Sequence, residues 1–184
     1  MKSSFFLQLL FVTIVSLTIS CNNDEKATEI SEFVFCDAEN LSADSSMIVP
    51  STKFWTSTFK GGKMISDEQA KNGKSSIKLF DKNQFGLTYI VNNVKSGDKF
   101  VAEVWRFGAD LALVASARDS KLFYKDQKEA KEKDERGWEK LELEITIPAG
   151  YIETELLIYV WNPKKDIANF ADDLKISFIQ KTSE

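Results

Sequence analysis

Histidine is missing from this chain altogether, and cysteine occurs only twice. Without an imidazole, neither a Ser-His-Asp nor a Cys-His nucleophile can be assembled. A histidine-bearing zinc site is excluded too, and two cysteines cannot replace it. Cys21 and Cys36 are also too few for a disulfide framework. Proline and glycine are scarce, at three and eight residues, while 43% of the chain is hydrophobic, so a packed domain is expected rather than a disordered one. Positive charge is not in excess. The formal net charge is −4, which gives no electrostatic reason to seek nucleic acid. Carboxylate-pair glycosidases need no histidine. With 28 acidic residues, though, the sequence singles out no pair, and the chain is not read as an enzyme.

One long apolar run is present, from Phe5 to Ile19, behind Lys2 and ahead of Ser20-Cys21. A charged start, an apolar centre and a small residue before the cut describe a secretory signal over residues 1–20. The run falls short of the ~20 residues that span a bilayer as a helix. Cys21 directly after it resembles the lipid acceptor of a bacterial lipoprotein. The usual lipobox has Leu three residues earlier, where this chain has Thr18, with Leu17 one step before. Acylation of Cys21 would anchor the chain to a membrane. The expected address is the outer membrane, at the cell surface or its periplasmic face. Residues 21–31 read as a flexible polar tether.

From residue 32 to 181 the pattern is that of one β domain. Leu141, Leu143, Ile145 and Ile147 alternate with Glu142, Glu144 and Thr146. Phe100, Ala102 and Val104 alternate with Val101, Glu103 and Trp105. Leu156, Ile158 and Val160 alternate with Leu157, Tyr159 and Trp161, where both faces are apolar. Period-two patterning of this kind marks strands with one buried face. Further strands are expected at 54–59, 77–80, 87–91, 111–115 and 175–179. Short strands with turn residues between them argue for an all-β sandwich of two antiparallel sheets. Between Lys125 and Arg136, ten of twelve residues are charged, with both signs mixed. This reads as a solvated segment, either a short helix with i,i+4 pairs or an extended loop. Cys36, in the apolar run from Phe33, reads as a buried, inert small hydrophobe.

Five motifs occur in an order that resembles the jelly-roll carbohydrate-binding modules of the family 4/9 group. They are Asp37-Ala38-Glu39-Asn40 after the first strand, Asn72-Gly73-Lys74-Ser75, and Ser96-Gly97-Asp98 leading to Trp105. Then come Gly137-Trp138-Glu139 and Phe170-Ala171-Asp172-Asp173. The resemblance covers about residues 32 to 180 and implies a jelly roll, a structural calcium ion and non-catalytic glycan binding. By that resemblance Glu39 and Asp172 are metal ligands, with Asp37 and Asp173 as further candidates. Calcium takes six to eight oxygens from carboxylates and carbonyls, so distant residues can share one ion.

The sugar-contact candidates are Trp105, Trp161 and Tyr159, whose flat rings can cover the apolar faces of sugars. Arg106 and Asn162 are the candidate hydrogen-bonding partners. Trp55 and Tyr124 rank behind them, and Trp138 reads as structural. The expected function is capture of a polysaccharide or oligosaccharide by an envelope lipoprotein. The alternative is an envelope scaffold that uses the same jelly roll for protein interaction. Aromatics on an open sheet favour the first reading; aromatics buried under loops favour the second.

Overall fold

The structure is a computed structural model that describes residues 29–39 and 53–180. The signal at 1–20 and Cys21 lie outside the described residues. Among the described residues eleven strands follow in chain order: β1 (Glu29–Cys36), β2 (Ile65–Ser66), β3 (Ser76–Leu79), β4 (Phe85–Asn92), β5 (Lys99–Phe107) and β6 (Ala112–Ser116), then β7 (Tyr124–Gln127), β8 (Glu132–Lys133), β9 (Trp138–Thr146), β10 (Glu155–Trp161) and β11 (Asn169–Gln180). The last three residues of the expected tether therefore belong to β1.

The strands form two antiparallel sheets. The seven-stranded sheet runs β2-β3-β11-β5-β9-β8, and β1 also pairs with β11. Beside β3 and β1, the twelve residues of β11 reach two short partners on one edge: β3 at Asn169–Ala171 and β1 from Leu174 onward. Its other edge pairs with β5. The four-stranded sheet runs β4-β10-β6-β7. The molecule is thus an all-β jelly-roll sandwich.

Alternation decides which side chains fill the space between the sheets. Phe100, Ala102 and Val104 of β5, Leu141, Leu143 and Ile145 of β9, and Leu156, Ile158 and Val160 of β10 are all buried there. Phe54 meets Phe100 edge-on at 5.4 Å and Phe178 at 4.5 Å between ring centroids. Such pairs add directional packing to plain area burial.

The stretch 54–59 is not a strand, although Phe54, Trp55 and Phe59 are buried as core. The segment runs irregularly along β4, tied by Asn92 N–H donating to Phe54 O at 3.0 Å and by a bridge between Lys60 and Thr88. The charged stretch after Lys125 forms no helix. It supplies β7 and β8, which lie at the edges of different sheets. Lys125 Nζ donates to Glu144 O at 2.7 Å and Lys131 pairs with Glu142 at 2.5 Å, so the segment clasps the two sheets along one side.

The register of β10 makes a direct prediction. Ile158→Ala removes a fully buried side chain between the sheets and is expected to cost roughly 2–5 kcal/mol. Ile152→Ala, at a position 79% exposed, should change stability by less than about 0.5 kcal/mol. Chemical denaturation of both variants checks this; similar losses would contradict the register.

Candidate functional site

Two places bring expected residues together. The first is where the opening and closing motifs meet. Asp172 and Asp173 lie inside β11 at a bulge. Asp172 faces Trp105 and Lys175 faces Glu103, so one extra residue is accommodated, with Asp173 in the left-handed region at φ 53. The turn at 71–75 folds onto this bulge. Asp172 Oδ2 accepts the amide N–H of Lys71 at 2.9 Å and Asp172 Oδ1 accepts that of Asp173 at 2.8 Å. Asn72 Nδ2 donates to Asp173 Oδ2 at 2.5 Å. Glu39 reaches the other end of the turn, where its Oε1 accepts the N–H groups of Lys74 at 2.7 Å and Ser75 at 2.6 Å. Gly73, at φ +63, leaves room for this carboxylate; a Cβ there would sit 2.5 Å from Glu39 Oε1. Asp37 Oδ1 accepts the amide of Glu39 at 3.1 Å.

This junction is rich in negative charge. Burial pushes the Asp172 carboxyl up to about 7, with Asp173 repelling it further and the three amide bonds offsetting part of the rise. Asp173 is raised as well, again mainly by burial. Desolvation drives the neighbouring Cys36 thiol to about 12, aided by Asp37, Asp172 and Asp173. A thiol held so high is protonated and unreactive. Among the described residues, no three acidic, cysteine or histidine side chains form a metal-sized group. Any cation here would also need main-chain carbonyl oxygens.

The second place is the outer face of the four-stranded sheet. Residues paired across strands share a face. Trp161 lies opposite Phe85 on β4 and Ala112 on β6. Tyr159 lies opposite Val114, which in turn faces Asp126; Ser116 faces Tyr124. The rings of Phe85 and Trp161 are nearly parallel, 6.4 Å apart and inclined by 9°, and Phe85 meets Tyr159 at 5.8 Å. Phe85 is 55% exposed and Tyr124 45%, with Tyr159 and Trp161 half-buried between them. Small residues Ala112, Val114 and Ser116 form the floor. The result is an aromatic shelf open to solvent, with Lys128 Nζ 5.9 Å from the Trp161 ring. Phe85 went unnoticed in the sequence because a bulge against Ile158 and Val160 breaks the alternation of β4. Only that extra residue places Phe85 beside Trp161.

The other candidates fall elsewhere. Trp105 is on the outer face of the seven-stranded sheet, across the core from Trp161, and Lys71 Nζ stands 3.7 Å over its ring. Arg106 points inward and is only 5% exposed. Its Nη1 donates to Leu111 O at 2.6 Å, and its Nε and Nη2 donate to Glu139 Oε2 at 3.0 and 2.8 Å. Burial raises Glu139, but the bonds from Arg106 and Lys133 outweigh it and leave that carboxyl below its ordinary value. Asn162 is fully buried. Its Nδ2 donates to Leu79 O at 3.0 Å and Ile167 O at 2.9 Å, and its Oδ1 accepts from Lys164 N and Asn169 Nδ2. Both residues are corrected from sugar partners to internal braces, since their polar groups are already engaged. Trp138 is buried against Phe107, as expected of a structural residue. Trp55 is core.

No protein-family model matches the chain, and no curated protein does. Solved structures do. The CBM22-1 xylan-binding domain of Paenibacillus barcinonensis Xyn10C aligns with 85% of this chain and 99% of its own, at 16% identity and a TM-score of 0.50. The C-terminal family 22 carbohydrate-binding module of Clostridium thermocellum Xyn10B aligns over the same shares, at 14% identity and a TM-score of 0.50. The chain shares its fold with carbohydrate-binding modules. Both of these are family 22 modules rather than members of the 4/9 group.

The acidic junction predicts a pH dependence. A carboxyl whose folded-state value lies above its ordinary 3.8 keeps its proton longer in the folded chain than in the unfolded one. Its contribution to stability therefore declines as pH rises from about 4 to about 7 and is level above that. Asp134, held low chiefly by the Lys71 hydrogen bond, acts in the opposite sense at lower pH. In chelator, Tm should fall between about pH 5 and pH 7. Asp173→Asn removes the repelling charge and suits left-handed backbone, so it should move the decline to lower pH. A Tm that rises through this window in both proteins would contradict the assignment.

Proposed function

We propose that this chain is a non-catalytic glycan-binding module that holds sugar on the outer face of its four-stranded sheet. One observation carries the reading: Phe85, Tyr159, Trp161 and Tyr124 form a shelf of exposed and half-exposed rings on a strand framework that needs none of them for its core. Large aromatics left facing solvent together usually serve an interface. Flat rings suit the apolar faces of sugars, and Asp126 and Lys128 at the rim supply polar groups for hydroxyls. A ligand face of this kind on a rigid sheet costs little ordering on binding. The xylan-binding domain with the same fold makes xylan the first probe. The 4/9 affinity rests on the five sequence motifs alone.

Acylation at Cys21 would make the protein an envelope lipoprotein, with the module presented from the outer membrane. A calcium ion at the junction of Asp37, Glu39 and Asp172 belongs to the same proposal. The surplus of buried negative charge there supports a cation, and its role would be to brace the first and last strands. An ion that binds only the folded form adds to stability.

Two experiments test these statements. Titration of the folded protein with xylan and other polysaccharides should show binding that Trp161→Ala or Tyr159→Ala weakens at least about tenfold, the scale of an interface hot spot. Trp105→Ala should leave that binding unchanged. Absence of binding across a broad panel, with the fold intact, would favour the scaffold alternative. A thermal melt with calcium against chelator should show an upward shift that Asp172→Ala abolishes; equal melts would remove the metal.

A further inference from the structure

We propose that the outer face of the seven-stranded sheet carries a second ligand site, a carboxylate-lined groove that takes protonated amino groups of an amino-sugar chain. The groove has a volume of about 450 Å³ and is lined by Val101, Glu103, Glu142, Glu144, Ser177 and Ile179, with Lys99 as the one cation of the lining. Ligand sites commonly occupy ~300–1,000 Å³. It is separated from the aromatic shelf by the whole thickness of the sandwich.

Three features point to a cationic organic guest. Glu103 of β5 lies directly opposite Glu142 of β9, and Glu144 follows two residues on, opposite Val101. Like charges facing each other across strands oppose pairing unless cations offset them. Rim lysines hold two of these acids: Lys140 and Lys175 approach Glu103 at 2.5 and 3.8 Å, and Lys131 approaches Glu142 at 2.5 Å. Among the described residues Glu144 has no ion pair, and it is exposed.

Ser177 is the second feature. It is 1% exposed, lines the groove, and its Oγ has no hydrogen-bond partner. A buried hydroxyl left unpaired is unfavourable, and a guest with donors and acceptors would satisfy it.

The third is spacing. Among the described residues the acids do not close into a metal-sized group. Strand geometry sets the backbone positions of Glu142 and Glu144 about 6.7 Å apart along β9 and those of Glu103 and Glu142 about 5 Å apart across strands, so the acids are spread along a line rather than gathered at a point. An ammonium donates three hydrogen bonds, while Val101 and Ile179 offer apolar contact to a ring. The choice of a sugar as the body that carries the amine rests on the glycan reading above.

Calorimetric titration of the folded protein with a glucosamine hexamer, and with its fully N-acetylated counterpart, tests the proposal. The glucosamine hexamer should bind, at least tenfold tighter than the acetylated one, and the binding should weaken with added salt. Glu142→Gln combined with Glu144→Gln should lower affinity at least tenfold without lowering Tm. Trp161→Ala should leave this binding intact while it weakens neutral-glycan binding, so the two sites fail separately. Equal binding of both hexamers, none by the wild type, indifference to the double substitution, or loss with Trp161→Ala would each overturn the second site. Equal binding of a lysine hexamer would overturn the sugar class.

Discussion

The fold hangs on carboxylates that accept backbone N–H groups from a single turn. Glu39, three residues past β1, and Asp172 within β11 grip opposite ends of the turn at 71–75. Charge-assisted bonds of this type are stronger than neutral ones. They fix the first strand, the approach to β3 and the last strand relative to one another. Since β11 pairs with β1, β3 and β5, the position of the seven-stranded sheet follows from that junction. The arrangement carries a penalty as well: Asp172 and Asp173 are adjacent, buried and mutually repelling. A bulge with a left-handed residue is what lets both side chains find donors.

A sandwich has one interior and two exteriors. Here the exteriors differ in chemistry. The four-stranded sheet presents rings over a floor of small residues, and the seven-stranded sheet presents acids and lysines around a groove. The same alternation builds both, because each inward residue of β5, β9 or β10 leaves an outward neighbour free to vary. Core residues Phe100, Val104, Ile158 and Val160 hold the two faces at a fixed separation. Trp105 and Trp161 therefore belong to opposite faces and cannot form one flat platform.

Alternation along β5, β9 and β10 was legible; the turn at 71–75 that lies between Glu39 and Asp172 was not, because its partners are more than thirty residues away on either side. Parity also contained more than was drawn from it. Arg106 continues the inward series of Phe100, Ala102 and Val104, and Asn162 continues that of Leu156, Ile158 and Val160. Their conversion from surface partners to braces follows from counting by two. Other features were not local. Which sheet a strand joins depends on partners distant in sequence, so the separation of Trp105 from Trp161 had no signature in either strand. Phe54 and Phe59 are apolar because they are buried, and burial does not require a ladder. Charge at Lys125–Arg136 argued for solvent exposure, which is right, but edge strands are as well solvated as helices.

Those edge strands have one more consequence. A free sheet edge is a template on which another chain can add a strand. Here β7 and β8 end their sheets with Lys125, Asp126, Glu132 and Lys133, and the short lengths of four and two residues offer few open main-chain groups. An approaching copy would have to strip water from charges of both signs to gain a few hydrogen bonds. These two edges are therefore shielded against strand addition by a second copy of the chain.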